Sequence, residues 1–245
     1  MIIAGPCAAE QSVSWLVDWA CTLHEAWLSL DPPDHEEFVF KASYDKANRT
    51  SKHGPRGLGL ANTLLAFEQI KKVLGIRVTT DVHEVADVQL LRATVDIVQI
   101  PAFLSRQTDL LVAAGEHCRA VNIKRMTTMG ASAFNDAVKK PGVRKEVYLT
   151  YRGSAVLDRT ILSVHDMMDQ LDLLPFDANI LDVTHTNGGE TGRSRFIAGT
   201  GIVLGFPHLF MEVHPKPKEA ICDAKHQLSL AEAKAIWEVQ LASQG

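Results

Sequence analysis

The feature that most constrains the fold is a regular alternation of short β-branched runs with longer helical stretches. Eight runs are typical of buried strands: Ile2–Ala4, Glu37–Lys41, Arg77–Asp81, Asp96–Ile100, Ala120–Lys124, Glu146–Tyr151, Asn179–Asp182 and Leu209–Glu212. The stretches between them have a helical pattern: 12–30, 59–74, 84–92, 106–117, 131–140, 161–171, 192–204 and 228–242. This alternation predicts one α/β domain spanning residues 1–245, a (β/α)8 TIM barrel. A doubly wound parallel sheet is the alternative, although such a sheet more often has fewer strands.

Side chains that can bind a ligand or a metal follow each of the eight predicted strands. In chain order they are Cys7, Lys41 to Arg49, Asp81, Gln99 to Phe103, Lys124, Arg152, His185 and Glu212. The catalytic groups of a (β/α)8 barrel lie at the carboxyl ends of its strands. A barrel without a site would also have polar loops, but it would not be expected to supply so many cations and metal ligands. The sequence therefore predicts a ligand site at this end of the barrel.

The segment after the second strand is locally cationic. Five lysines and arginines lie between Lys41 and Arg56, against one acid, Asp45, in a chain of net charge −4. Cations that converge on one loop suit phosphate and carboxylate oxygens. A solvated basic loop is the alternative, and it explains Lys52 and Arg56. It explains Lys41 poorly, because Lys41 continues directly from an apolar strand.

Composition argues against several classes of protein. The net charge of −4 disfavours a nucleic-acid-binding protein, and no apolar run is long enough to span a membrane. The first residues lack the basic start of a signal peptide. The four cysteines include no Cys-x-x-Cys pair, which favours a cytoplasmic location and a metal-binding or catalytic role for any functional thiol.

Four segments resemble 3-deoxy-D-manno-octulosonate 8-phosphate (Kdo8P) synthase. They are Lys-Ala-Ser-Tyr-Asp-Lys-Ala-Asn-Arg-Thr-Ser at 41–51, Thr-Asp-Val-His-Glu at 80–84, Gln-Ile-Pro-Ala-Phe-Leu-Ser-Arg-Gln-Thr-Asp at 99–109 and Phe-Met-Glu-Val-His-Pro at 210–215. The related heptulosonate (DAHP) synthases have Lys-Pro-Arg where this chain has Ala47-Asn48-Arg49. The resemblance implies a cytoplasmic, usually homotetrameric barrel transferase of lipopolysaccharide biosynthesis. Its reaction would condense phosphoenolpyruvate (PEP), arabinose 5-phosphate and water into Kdo8P and phosphate.

The same resemblance assigns residues to the two substrates. It implies a PEP site formed by Lys41, Ser43, Lys46, Gln99, Ala102, Lys124 and Arg152. It implies an acceptor site formed by Asn48, Arg49, Thr50, Asp81, Pro101, Phe103 and Arg106, with Arg106 supplied by a neighbouring subunit. Catalytic roles are implied for Lys46, Asn48, His185 and Asp223. Lys46 is the candidate for polarising or protonating the reacting groups, and for Asp81 a helix N-cap is the alternative role.

A divalent metal site is predicted from Cys7, His185, Glu212 and Asp223. Kdo8P synthases divide into metal-dependent members with Cys at the first position and metal-free members with Asn, and this chain has Cys7. Sulfur, nitrogen and oxygen ligands suit Zn, Fe, Mn or Co. Each residue taken singly has another interpretation. Cys7 could instead be a small buried apolar residue, and Asp223 could cap the helix that begins near 228. Cys222, next to Asp223, is expected to be a bystander.

Three segments depart from the Kdo8P synthase pattern, namely 125–128, 154–159 and 186–192. Loops of this kind close over a barrel site and set the fit of the substrate. PEP chemistry is therefore better supported than the identity of the aldehyde, and a related synthase with a different acceptor is the alternative. Two further functions fit the residues less well. A non-catalytic sugar-phosphate-binding barrel would be expected to lose some of the cations or metal ligands, and a class II metal aldolase would not need the cations around Lys41.

Overall fold

The computed structural model describes residues 1–49, 51–142, 146–156 and 159–243. Its strands are β1 (Ile2–Gly5), β2 (Phe38–Lys41), β3 (Arg77–Asp81), β4 (Ile97–Ile100), β5 (Ala120–Lys124), β6 (Glu146–Tyr151), β7 (Ser154–Val156), β8 (Arg159–Ile161), β9 (Asn179–Asp182) and β10 (His208–Glu212). All except β7 and β8 are parallel and form a closed barrel in the order β1-β10-β9-β6-β5-β4-β3-β2. The predicted (β/α)8 barrel is confirmed.

The α-helices of the described residues surround the barrel. They are α1 (Val13–Leu28), α2 (Leu60–Leu74), α3 (Val85–Leu91), α4 (Thr108–His117), α5 (Ala131–Val138), α6 (Val164–Leu173), α7 (Ser194–Leu204) and α8 (Leu230–Ala242). Local signals explain several boundaries. The Ser12 side chain accepts a hydrogen bond from the Trp15 N–H at the start of α1, and Ser229 and Glu232 form a capping box at the start of α8. Gly75, in the left-handed conformation, ends α2.

The strands are buried on both faces, so their side chains form two apolar layers. The smaller cluster, which fills the inside of the barrel, contains Met1, Ile3, Val39, Ile97, Ala120, Tyr148, Ile180 and Phe210. Alternate residues of the same strands, such as Ile2 and Phe38, belong to the larger cluster between barrel and helices. Gly5 ends β1 where a Cβ atom would overlap the carbonyl oxygen of Lys41. Only glycine allows β1 and β2 to approach this closely at the end from which the chain continues to Cys7.

One element was not predicted from the sequence. After β6 the chain forms the antiparallel hairpin β7–β8, and α6 starts at Val164 rather than at the predicted 161. The hairpin strands have three residues each, too few for a periodic pattern to be recognised. The remaining predicted helices differ from the observed ones only at their ends, where helices fray. Among the described residues, no helix is both long and apolar enough to cross a membrane.

Candidate active site

The carboxyl ends of the barrel strands open into a cavity of about 750 Å³. Its walls contain most of the predicted site residues: Lys41, Lys46, Asn48, Arg49, Asp81, Gln99, Pro101, Ala102, Phe103, Lys124, Arg152, His185, Glu212 and Asp223. This volume is typical of a site for small molecules. The fold therefore brings the residues predicted for PEP, for the acceptor and for the metal to one cavity.

Asp81, the last residue of β3, lies at the centre of a buried hydrogen-bond network. Gln99 Nε2 and Ser43 Oγ both donate to its carboxylate. Lys46 Nζ donates to Ser43 Oγ at 3.0 Å and lies 3.8 Å from Asp81 Oδ2. Burial raises the pKa of Asp81, but the positive charges of Lys46 and Lys41 lower it more, so the pKa is well below its ordinary value. Asp81 is therefore ionised, and each of its oxygens accepts a hydrogen bond within the site.

Lys41 ties the end of β2 to the ends of β1 and β10. Its Nζ donates to Glu212 Oε1 at 2.8 Å, to the Cys7 carbonyl oxygen at 2.8 Å and to the Pro6 carbonyl oxygen at 3.4 Å. The side chains of Lys41 and Glu212 are only 1% and 2% exposed. Burial lowers the pKa of Lys41 and the charge of Glu212 raises it more, so the ammonium stays charged. A contact between Lys41 and an anionic ligand would replace one of these three bonds.

Asp182, the last residue of β9, holds two predicted site residues at once. Its Oδ2 lies 2.8 Å from Lys124 Nζ and 2.7 Å from His185 Nδ1. Burial raises the pKa of Asp182, but its contacts with His185 and Lys124 lower it well below its ordinary value. The ionised carboxylate therefore requires the hydrogen on His185 Nδ1, which leaves Nε2 as the basic nitrogen.

Two groups of candidate metal ligands share Asp223. One is His185, Glu212 and Asp223, and the other is Cys7, Cys222 and Asp223. Within each group the ligand atoms lie within 4.8 Å of one another. Cys7 Sγ donates to Asp223 Oδ2 at 3.0 Å. The four predicted ligands thus fall in two groups joined by Asp223, and Cys222, expected to be a bystander, lies in the group with Cys7.

The chemistry of this cluster fits a divalent metal. Glu212 Oε2 is buried and has no hydrogen-bond partner among the described residues, although a buried carboxylate oxygen normally has one. Burial lowers the pKa of His185 below its ordinary value, so the imidazole is neutral, the form that binds metals. Burial also raises the pKa of the Cys7 thiol well above its ordinary value. A metal ion would have to displace that proton, so metal binding at this cluster would release a proton.

The loop that carries Asp223 is held by groups outside the cavity. The Glu10 carboxylate lies 2.6 Å from His214 Nε2 and accepts from the Ile221 N–H at 3.1 Å. A backbone N–H donates to His214 Nδ1, so Nε2 carries the hydrogen that is donated to Glu10. From the cavity side, Arg49 Nη2 donates to the Ile221 carbonyl oxygen at 2.9 Å. These bonds hold Asp223 in a left-handed conformation, with φ of 48°, that non-glycine residues rarely adopt.

Four predicted site residues are not on the described cavity wall. Cys7 is buried behind Asp223, and Ser43 is buried beneath Lys46 and Asp81. Arg106 is exposed on the connection before α4. Thr50 lies outside the described residues.

Two alternative roles from the sequence are wrong. Asp81 does not cap a helix, because Glu84 is the N-cap residue of α3 and the Asp81 carboxylate accepts from Gln99 and Ser43. Asp223 does not cap α8, because Ser229 does.

Sequence reasoning missed some residues of the wall and one behind it. The missed wall residues, several of them in the matching segments, are Ala47, Ser51, His83, Glu84, Leu104 and Cys222. Asp182, behind the wall, could have been found as the polar last residue of a predicted strand.

The three segments that depart from the Kdo8P synthase pattern do not line the cavity in the part of the chain that is described. Arg125 is buried and donates from Nε to the Met129 carbonyl oxygen at 2.6 Å, and its Nη2 lies 3.4 Å from Asp166 Oδ1. The hairpin joins this arrangement, since Ser154 Oγ donates to Asp166 and the Ala155 N–H donates to a carbonyl oxygen of the 125–128 segment. The described residues of two altered segments therefore support the ends of β5 and β6.

The fold and the site together define a class of protein. It is a (β/α)8-barrel enzyme whose cavity combines lysines and arginines suited to phosphate and carboxylate groups with a cluster of candidate metal ligands. The sequence model of the DAHP synthetase I family matches residues 1–244, and the chain belongs to this family.

Curated relatives agree with this membership over nearly the whole chain. A 2-dehydro-3-deoxyphosphooctonate aldolase of Proteus mirabilis is 35% identical over 87% of this chain and 80% of its own length. An enzyme of the same name from Nitrobacter winogradskyi is 35% identical over 96% of this chain and 84% of its own. A third, from a Cyanothece species, is 31% identical over 98% of this chain and 90% of its own.

Proposed function

We propose that the protein condenses PEP with arabinose 5-phosphate and water to give Kdo8P and inorganic phosphate. The observation that carries the proposal is the arrangement of the cavity. Lys46, Lys124 and Arg152 line the same space as the metal-ligand cluster. Relatives named 2-dehydro-3-deoxyphosphooctonate aldolase, similar over nearly the full chain, support the same reaction.

PEP carries a phosphate and a carboxylate, and both need cationic partners. The proposed PEP site consists of Lys41, Ser43, Lys46, Gln99, Ala102, Lys124 and Arg152, of which all but Ser43 line the cavity. Ser43 contributes from behind by fixing Lys46 Nζ at 3.0 Å. Arg152 Nε has no hydrogen-bond partner among the described residues, so it is ready to donate to an anion. Positioned cations of this kind hold the reactants and stabilise charge that develops in the transition state.

The reaction forms one carbon–carbon bond and breaks one bond to phosphate. C3 of PEP attacks the aldehyde carbon, whose oxygen gains a proton, and water adds at C2. The resulting intermediate expels phosphate and leaves the keto group of the product. Burial lowers the pKa of Lys46, but Cys7 and the charges of Asp81 and Glu212 raise it well above its ordinary value, so Lys46 acts as a charged donor to the aldehyde oxygen. Asp81, ionised beside it, orients Lys46.

The proposed metal ligands are Cys7, His185, Glu212 and Asp223, and the ion would be Zn, Fe, Mn or Co. When bound, the ion would supply Lewis acidity beside the reacting carbons. His185 and Asp223 are also the catalytic residues proposed at this end of the cavity, together with Lys46 and Asn48. Asp182 fixes the imidazole of His185 so that Nε2 is available.

The proposed acceptor site includes Asn48, Arg49, Asp81, Pro101 and Phe103 on the cavity wall, together with Thr50, which lies outside the described residues. Asn48 would hydrogen-bond a sugar hydroxyl, and Arg49 with Thr50 would hold the sugar phosphate. Arg106 would reach this phosphate from a neighbouring subunit, since it lies off the cavity wall of its own chain. This arrangement needs at least one neighbouring subunit. The homotetramer and the cytoplasmic location remain predictions.

Phosphate release from PEP tests the proposal. The assay compares arabinose 5-phosphate with erythrose 4-phosphate and with unphosphorylated arabinose. We expect the highest kcat/KM with arabinose 5-phosphate, because a site that hydrogen-bonds a hydroxyl discriminates against substrates that leave its polar groups unpaired. A higher kcat/KM with erythrose 4-phosphate would indicate a heptulosonate synthase. Absence of phosphate release with every aldose would refute the proposal.

A matched pair of variants tests the acceptor side. Asn48→Ala should lower kcat/KM for arabinose 5-phosphate while changing the affinity for PEP little. Asn62→Ala is the control, because Asn62 is exposed on α2 and donates only to the Leu58 carbonyl oxygen. Equal effects of the two changes would contradict the role of Asn48.

A further inference from the structure

We propose that Asp182 is a positioning residue that couples the binding of PEP to the binding of the metal. The inference rests on the proposed function, in which Lys124 contacts PEP and His185 binds the metal. One oxygen of Asp182 is the acceptor for both residues, at 2.8 Å and 2.7 Å. Lys124 and His185 therefore share one hydrogen-bond acceptor, and a ligand bound to either residue would change how strongly Asp182 holds the other.

The carboxylate of Asp182 cannot rotate to serve the two residues separately. Its other oxygen, Oδ1, accepts from the Thr184 N–H at 3.1 Å, from Thr184 Oγ1 at 3.0 Å and from the His185 N–H at 2.9 Å. The side chain is fully buried at the end of β9. Five hydrogen bonds thus fix the plane of the carboxylate, and Oδ2 is left as the one acceptor that Lys124 and His185 share.

The sign of the coupling follows from this sharing. A metal bound to His185 would make the Nδ1–H a stronger donor to Oδ2, so that this fixed oxygen would accept less strongly from Lys124. The ammonium of Lys124 is then more available for the phosphate of PEP. In the other direction, a phosphate that pairs with Lys124 leaves Oδ2 to His185 and makes the imidazole a better ligand. Each ligand should therefore raise the affinity for the other by the same factor.

Asp182 is well suited to a test because it is predicted to touch neither ligand. A second link between the two halves of the site is the pair of Lys41 and Glu212, but there the carboxylate is itself a proposed metal ligand. Removing Glu212 would therefore delete a ligand together with the link. Replacing Asp182 changes the link and leaves every proposed ligand in place.

The experiment measures Mn2+ binding to the metal-depleted full-length protein, by calorimetry or electron paramagnetic resonance, with and without saturating PEP. In the wild type we expect PEP to tighten Mn2+ binding by about tenfold. Asp182→Asn should weaken Mn2+ binding itself by about 10–100-fold. It should also reduce the effect of PEP to about threefold or less, because an amide cannot hold an ammonium and an imidazole N–H on one charged oxygen.

Asp96→Asn is the matched control, because Asp96 is also a buried carboxylate that accepts from a lysine and a backbone N–H, but it lies away from the cavity. It should lower the thermal stability and leave the effect of PEP on Mn2+ unchanged. Should Asp182→Asn not fold, Thr184→Val removes one donor that fixes the carboxylate, and its PEP effect should be smaller than in the wild type.

Two results would overturn the proposal. The first is a wild-type Mn2+ affinity that PEP does not change. The second is a variant in which PEP tightens Mn2+ binding as much as in the wild type; the variant is Asp182→Asn, or Thr184→Val if Asp182→Asn does not fold. Because these measurements involve binding alone, they are independent of turnover. Failure of the proposed function would be seen instead as no release of phosphate with any aldose.

Discussion

Replacing Lys41 by methionine tests how much the buried ion pair with Glu212 stabilises the protein before a metal binds. Methionine is close to lysine in length, so the change removes the ammonium with little loss of packing. In the variant, Glu212 would remain at 2% exposure with neither oxygen paired, since Oε2 already has no partner among the described residues. The variant therefore isolates the cost of an uncompensated buried carboxylate.

The magnitude follows from the burial of the pair. Removing one partner of a buried ion pair costs about 3–5 kcal/mol. For a protein of this size each kcal/mol corresponds to a fall in Tm of about 2–4 °C, so the metal-free variant should unfold roughly 6–20 °C below the metal-free wild type. Bound metal would compensate the charge of Glu212, so the difference should be smaller in the presence of Mn2+. Lys41→Met combined with Glu212→Gln should recover part of the loss, because the pair is then removed together.

Thermal unfolding followed by circular dichroism, with and without Mn2+, measures these differences. Lys71→Met is the matched control, because the Lys71 side chain is 31% exposed in its ion pair with Asp96, and Asp96 would keep Arg119 Nη1 at 3.8 Å and its hydrogen bond from the Val78 N–H. A partly exposed pair of this kind should contribute no more than about 1 kcal/mol. If Lys41→Met and Lys71→Met lowered the Tm of the metal-free protein equally, the argument from the buried pair would be refuted.

Three further predictions concern the metal, the acceptor and acid stability. Cys7→Ser should weaken metal binding and lower activity. A chelator should inactivate the wild type, and added Mn2+ or Co2+ should restore its activity; full activity of the metal-free protein would contradict this prediction. Arg106→Ala should raise KM for the phosphorylated acceptor far more than KM for PEP, as measured by steady-state kinetics. A monomer with normal acceptor affinity would exclude the supply of Arg106 by a neighbouring subunit. Burial raises the pKa of Glu10, but the hydrogen bond from His214 helps to lower it below its ordinary value. The ionised Glu10 therefore stabilises the fold fully above the ordinary pKa of a glutamate, and this stabilisation is lost as the pH falls through the lowered pKa of the folded state. Glu10→Gln should therefore have a lower urea midpoint than the wild type at pH 7 and a smaller deficit at about pH 3; an equal deficit at both would refute this.

The fold was predictable because the barrel strands give a simple signal. β2 and β10 are made largely of buried residues, and they end in the charged residues Lys41 and Glu212. A strand covered on both faces produces a short apolar run, and its carboxyl end is where the site must lie. The hairpin β7–β8 gave no such signal, because three-residue strands on the surface have no apolar period.

The partners of the site residues could not be predicted in the same way. Lys124 and Asp182 are 58 positions apart in the chain, and their pairing depends on the order in which the strands close the barrel. The sequence placed Lys124 at a strand end but could not show that Asp182 also holds His185. Likewise, the role of Glu10 depends on a hydrogen bond across 204 positions to His214.

The cations of the cavity differ in whether a carboxylate already occupies them before an anionic substrate binds. Lys41, Lys46 and Lys124 each lie within salt-bridge distance of one carboxylate, respectively Glu212, Asp81 and Asp182. Each pair favours the charged form of its lysine, although burial still lowers the pKa of Lys124 below its ordinary value. An incoming phosphate or carboxylate must then compete with a carboxylate for each ammonium. Arg152 differs, because its Nε has no partner among the described residues. Arg152 can therefore make the first contact with an entering anion without breaking an ion pair, and the lysines can exchange their partners once the anion is held. Of the three carboxylates that PEP would displace, Glu212 is a proposed metal ligand and Asp182 supports another, His185. The proposed binding of PEP would therefore also change the metal cluster.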